Sequence, residues 1–265
     1  MTSTSTSTTE LQVRQDGHTL WVTFNRPERL NAATESMEDA IIAACRFADD
    51  NDDIRVVVFE GRDGSRPSFM AGADIAGMTT LESAEDVRKL EAHAERTLAA
   101  IEGLRVPAIA ALDGPVIGQG ALLASCCDIS LAGPSVRFGF PIAKTVGNCL
   151  STKNLTRLVE LVGVPLTRTM IMRAKLLNTD ELARAGAVSE KAETHEGLRE
   201  LTREIAREVA GLAPLTLSYT KASLLRMRGP ASDNEELVVK SYLSEDSREA
   251  VTAFLEKRPP HWLGH

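Results

Sequence analysis

Two short segments carry the residue types from which a reactive site could be built: Ala71-Gly72-Ala73-Asp74 and Gly118-Gln119-Gly120. Each lies between a β-favouring apolar run and a stretch of helical character. A turn that enters a helix leaves backbone N–H groups without intrahelical acceptors, so two such turns facing one point can hold a developing oxyanion. Small residues suit that use because a bulky Cβ would keep a ligand off the main chain. Tight packing of an ordinary turn is the alternative reading. Gly118-Gln119-Gly120 is not a dinucleotide fingerprint, because Leu123 stands where a third glycine is required. Asp128 also follows too closely to serve as the ribose ligand, which is expected ~20 residues on. A Gly-Lys-Ser/Thr phosphate loop is absent, so no permanently bound cofactor is expected.

The elements that must position these turns follow from patterning. Thr19 to Phe24 reads as a strand stopped at Asn25-Arg26-Pro27, and Thr34 can cap a helix with apolar positions Met37, Ile41, Ala44, Cys45 and Ala48. Val56 to Phe59 is continuous enough to be a strand buried on both faces. Ser83 opens a helix running to about Gly103, with a buried stripe at Val87, Leu90, Ala94 and Leu98. Strands follow at Pro107 to Leu112 and Asp128 to Leu131, with an extended segment at Val136 to Phe140. The remainder is mostly helical, ending in a helix from about Asn234 to Lys257 before Pro259 and Pro260. The class is α/β, with residues 1–10 a disordered Ser/Thr leader, 11–200 the core and 201–265 a helical region.

Composition removes several functions. Asp and Glu outnumber Lys and Arg by 37 to 30, giving a formal charge of −7 without a dense basic run, which disfavours nucleic acid. The apolar stretch Gly114 to Cys127 is interrupted by Gln119 and falls short of the ~18 apolar residues of a membrane span. Neither a basic start nor an apolar block opens the chain, so a cytoplasmic location is expected. Cys45, Cys126, Cys127 and Cys149 have neither disulfide-framework nor zinc spacing, and no metal is expected.

Taken together, FNRPERLNA (Phe24 to Ala32), FMAGADIAGM (Phe69 to Met78), GPVIGQGALLASCCDISLAG (Gly114 to Gly133) and EDSREAVTAFLEKRPP (Glu245 to Pro260) resemble the crotonase superfamily of enoyl-CoA hydratases and isomerases. The resemblance implies a spiral of ββα units followed by a C-terminal helical region that makes homotrimers or dimers of trimers. It also implies an acyl-CoA or enoyl-CoA substrate, with coenzyme A arriving as part of the thioester. The thioester oxygen would be held by the backbone N–H groups of Ala73 and Gln119. Arg29, Phe254 and Lys257 would meet the CoA portion, and Ala71, Asp74, Ile75, Leu122 and Ile142 would line the substrate site. Asp74 reads as a helix cap or structural acceptor. Lys257 has the alternative of a solvated helix end.

One departure bears on the reaction. A hydratase of this family is implied to carry glutamates where this chain has Leu122 and Ile142. Neither aliphatic residue can move a proton, so hydration or isomerisation would need another acid or base. The candidates are His93, otherwise a structural imidazole, and Cys149, otherwise inert packing. Decarboxylation would need no strong protein base, and a catalytically inactive CoA-thioester-binding protein or partner subunit is the second hypothesis. A Ser-His-Asp hydrolase based on Ser125 or Ser151 is set aside because neither serine sits in a Gly-x-Ser-x-Gly elbow.

Overall fold

The computed structural model describes residues 2–3, 7–62, 67–74, 82–228 and 244–265. Its main sheet orders the strands β1 (Thr2–Ser3), β2 (Leu11–Asp16), β3 (Thr19–Phe24), β4 (Val56–Gly61), β5 (Ala108–Leu112), β7 (Ile129–Ala132) and β9 (Glu190–Lys191). The β1–β2–β3 pairings are antiparallel and all later ones parallel. A second, two-stranded sheet pairs β6 (Pro115–Ile117) with β8 (Arg137–Gly139). Part of the leader expected to be disordered is tied down: Thr2 and Ser3 pair with Gln15 and Arg14, and the Ser7 hydroxyl and Val13 share hydrogen bonds.

The run from Val56 to Phe59 is fully buried, as its unbroken apolar character requires. Val57 and Phe59 face one core with helix α1 (Glu35–Asp49), while Val56 and Val58 face another with helix α6 (His195–Ala210). The division drawn at residue 200 therefore falls inside a helix that covers the sheet. The expected apolar positions of α1 are all buried, and the Thr34 hydroxyl caps it by accepting from Met37 N–H at 3.1 Å. Helix α2 (Ala84–Glu102) starts with a reciprocal capping box between Ser83 and Asp86. Its stripe is shorter than expected: Leu98 is buried but Val87 is 46% exposed, because only the C-terminal half of α2 is pressed into the core.

Helix α3 (Gln119–Cys126) is buried along its length. Helix α4 (Thr152–Met172) breaks at Gly163, two residues before Pro165, and α5 (Thr179–Arg184) and α7 (Pro214–Arg226) complete the sequence before α8 (Glu245–Glu256). Residues 234–243 of the expected last helix lie outside the described residues. The tail after α8 folds back on its own chain. Leu263 and Gly264 N–H groups donate to the buried Asp246 carboxylate, Trp262 Nε1 donates to Gly211 O at 3.0 Å, and Arg55 donates to Trp262 O at 3.0 Å. No helix among the described residues is long and apolar enough to cross a membrane.

Candidate active site

The first turn is built by backbone hydrogen bonds to the loop after β3. Ala71 N–H donates to Leu30 O, Ala33 N–H to Gly72 O and Asp74 N–H to Ala33 O, at 3.0, 2.8 and 2.7 Å. Leu30 and Asn31 reach the necessary path with left-handed φ values of 52° and 57°. The Asn31 side chain, 1% exposed, fixes this loop by accepting from Arg26 N–H at 2.8 Å and donating to Ser68 O at 2.7 Å and Phe69 O at 3.3 Å. Asn31→Ala is expected to cost about 2–4 kcal/mol, from unpaired backbone groups and an unfavourable left-handed alanine. Urea unfolding measures this; a change under about 0.5 kcal/mol would contradict the positioning role.

Asp74 is a structural acceptor, as expected: its carboxylate takes Arg26 Nη2 at 2.9 Å, and Arg26 also lies 3.3 Å from Glu10. The second turn follows β6. Gly118 adopts φ 55° and ψ −117°, a conformation that disfavours any side chain, and donates its N–H to Gly139 O at 3.0 Å.

The two turns touch. A methyl group on Gly118 would lie 3.5 Å from Gly72 Cα, and one on Gly72 would lie 3.6 Å from Ile117 O. Met70 is bridged to Val116, so the segment before the first turn runs parallel to β6, which leads into the second. Because Ala33 bonds residues 72 and 74, the N–H of Ala73 points away from it. Neither that N–H nor the N–H of Gln119 has an acceptor among the described residues. Two unpartnered amides on adjoining turns are a ready acceptor site for a polarised oxygen.

The Gln119 side chain turns to Glu38 on α1, donating Nε2–H to its Oε1 at 2.9 Å. The other carboxylate oxygen lies 3.2 Å from His93 Nε2, whose ring sits on α2 with Nδ1 accepting from Arg96 at 2.7 Å. Arginine has only donors, so in the neutral ring the hydrogen belongs on Nε2, and protonation of the ring sets a positive charge beside Glu38. Burial pushes the Glu38 carboxyl above its ordinary value, the His93 ring opposes this, and Glu35 and Asp39 add to it. Residue-type reasoning missed Glu38, since a glutamate in the first turn of a helix is explained by the helix dipole alone. Its flank position beside Met37 and Ile41, on the stripe bound for the core, was the available signal.

The remaining candidates are spread out. Leu122 is 4% exposed in the core and Ile142 is half-buried against it, on a 3-10 turn at Pro141–Ala143. Cys149 is exposed, as are Arg29 and Lys257. Ile75 lies outside the described residues, as does the side chain of Phe254. Ser125 donates to Leu122 O and Ser151 caps α4, so both hydroxyls are engaged structurally. Sequence reading also passed over a contact between His195 Nδ1 and Asp113, but there Ser135 donates to the aspartate at 2.7 Å, the wrong partner for a nucleophilic triad. Asp128 accepts from Ala108 N–H and Lys221, both at 2.7 Å, which is a structural role. Burial raises the Cys45, Cys126 and Cys127 thiols, keeping them protonated. No cluster of three or more His, Cys, Asp or Glu among the described residues is placed to hold a metal.

A sequence model described as enoyl-CoA hydratase/isomerase matches residues 15–265. The chain belongs to the enoyl-CoA hydratase/isomerase family. It is 30% identical over 253 residues to a short-chain-enoyl-CoA hydratase of Clostridium acetobutylicum, covering 93% of this chain and 94% of that protein. A crotonyl-CoA hydratase of Syntrophomonas wolfei is also 30% identical, over 91% of this chain and 92% of its own length. Among solved structures, an enoyl-CoA hydratase/carnithine racemase from Magnetospirillum magneticum superposes with a TM-score of 0.90 at 28% identity, covering 98% and 97% of the two chains. The fold is thus the crotonase fold, with the strands, adjoining turns and helices described above in the family's order.

Proposed function

We propose that this family member binds an acyl- or enoyl-CoA thioester and stabilises its enolate with the N–H groups of Ala73 and Gln119. The observation that carries the reading is the pair of unpartnered amides on touching turns. Charge that develops on the thioester oxygen meets two fixed donors, each worth ~3 kcal/mol in such sites. Glutamine is compatible with the second position because the donor is main chain and its side chain is held on Glu38. Leu122 and Ile142 make a dry acyl wall that offers no acid or base at those two positions. Arg29 and Lys257, both exposed, are suited to CoA phosphates. The working unit is a cytoplasmic homotrimer or dimer of trimers.

The aliphatic residues at 122 and 142 favour a second reading, a CoA-thioester-binding protein or partner subunit without turnover. Decarboxylation remains within the first reading, since loss of carbon dioxide itself generates the enolate. Titration calorimetry with butyryl-CoA, and product analysis by mass spectrometry after incubation with enoyl-, malonyl- and hydroxyacyl-CoAs, separate these. Binding with conversion is the expected result. Binding without conversion selects the second reading, and absence of binding overturns both.

A further inference from the structure

A carboxyl group bonded to the second turn comes from α1, away from the positions of Leu122 and Ile142. Helix α1 is capped by Thr34, the residue after Ala33, and Ala33 holds residues 72 and 74 of the first turn by backbone hydrogen bonds. Glu38 sits on the opening stretch of that helix and accepts from the side chain of Gln119, whose own N–H is the unpartnered amide of the second turn. One carboxyl is therefore bonded to the second turn and carried by the helix that starts beside the residue holding the first.

Among the described residues its second oxygen accepts no hydrogen bond. The Glu38 side chain retains 10% of its exposure and that of His93 13%. Nε2 of His93, 3.2 Å from Glu38 Oε2, makes no aligned hydrogen bond and is a buried polar atom without a partner among the described residues. A buried N–H and a carboxylate oxygen that approach without bonding leave both able to engage something else. The groups facing Glu38 are Glu35 and Asp39 on its own helix, His93 with Arg96 behind it on α2, and the Gln119 amide on α3.

We propose that Glu38 is the proton-transferring residue of this site and that His93, held by Arg96, positions it. The assignment rests on the thioester-enolate reading above. As a base, the Glu38 carboxylate takes a hydrogen from the carbon next to the thioester: the C–H bond breaks, an O–H bond forms, and the electron pair moves onto the thioester oxygen held by the two amides. Reversal returns a proton from the carboxyl to carbon, with no water consumed and no redox partner.

The test follows exchange of α-hydrogens of butyryl-CoA and hexanoyl-CoA in deuterium oxide, by mass spectrometry, with the full chain. Wild type is expected to incorporate deuterium. Glu38→Gln keeps an acceptor for Gln119 and is expected to bind either thioester within about twofold of wild type while exchanging ~10²–10⁴-fold more slowly. Glu38→Asp should restore part of the rate. His93→Gln removes a neighbour that holds the Glu38 carboxyl down, so its rising limb of rate against pH should move to higher pH; an unchanged limb removes His93 from the assignment. Exchange by Glu38→Gln at the wild-type rate, or binding by wild type with no exchange, overturns the role of Glu38 and leaves the binding reading standing. No thioester binding by wild type overturns that reading itself, and this proposal with it.

Discussion

Gly120→Ala is expected to lower the rate of enolate formation by about 10²–10³-fold, the cost of misplacing one backbone donor. A Cβ at residue 120 would lie 2.3 Å from Met70 O, 2.8 Å from Met70 Cβ and 3.0 Å from Met70 C. Two of these atoms belong to the main chain, so no rotamer change relieves the clash. Met70 is itself held on both sides, donating to Pro115 O at 3.0 Å and accepting from Ile117 N–H at 2.9 Å. Either the start of α3 or the segment at Met70 before the first turn must shift, and each shift separates the amides of Ala73 and Gln119. Overpacking of this kind also costs about 1–3 kcal/mol of stability. The α-exchange rate, read together with urea unfolding, checks the pair of effects. Wild-type exchange at unaltered stability would mean that the turns do not act together.

Arg157→Met should cost the largest single increment of stability, about 3–5 kcal/mol, because it removes the main partner of the buried Glu102 and of the half-buried Glu95. Arg157 is 1% exposed. Its guanidinium donates to both oxygens of Glu102 at 2.9 and 2.6 Å, to both oxygens of Glu95 at 2.7 and 2.9 Å, and to Asn154 at 2.6 Å. This joins α2 to α4. Burial raises both carboxyl groups, but the hydrogen bonds and charge of Arg157 outweigh it, with Lys153 helping at Glu95 and Arg228 at Glu102, so both end below the ordinary value of 4.5. A depressed carboxyl stabilises the fold above its unfolded value, and that contribution disappears as pH falls through its folded value. The wild-type protein should therefore lose stability as the pH falls below about 4.5, the ordinary value of these carboxyls, more steeply than Arg157→Met. Urea midpoints from pH 3 to 7 test this, and parallel pH curves for the two proteins would refute it.

The local rules were readable where one residue type has one physical use. Thr34 and Ser83 cap helices, and the apolar run at 56–59 is a strand covered on both faces. The second glycine turn falls between β6 and α3 as read, whereas the Ala73 amide is left free by the bridge to Ala33, a partner some forty residues away in the chain. Val87 was misjudged because helical spacing says which residues share a face, and says nothing of how far along the helix its packing partner extends. Arg26, Asn31 and Arg157 act across dozens of residues of chain, and no window of sequence contains their partners. Glu38 was hidden by a sufficient local explanation. Only its meeting with Gln119 and His93, from two other helices, gives it a chemical reading.

Peptide amides in these turns have no ionisation in the working range of an enzyme and no side-chain chemistry to alkylate or oxidise. In the proposed site the electrophilic half is therefore silent to acid, to base and to thiol reagents. A bend in the rate of α-exchange against pH therefore reports on side chains such as the proposed carboxyl and imidazole, never on the two amides. A conservative change in the side chain of residue 73 should pass almost unnoticed.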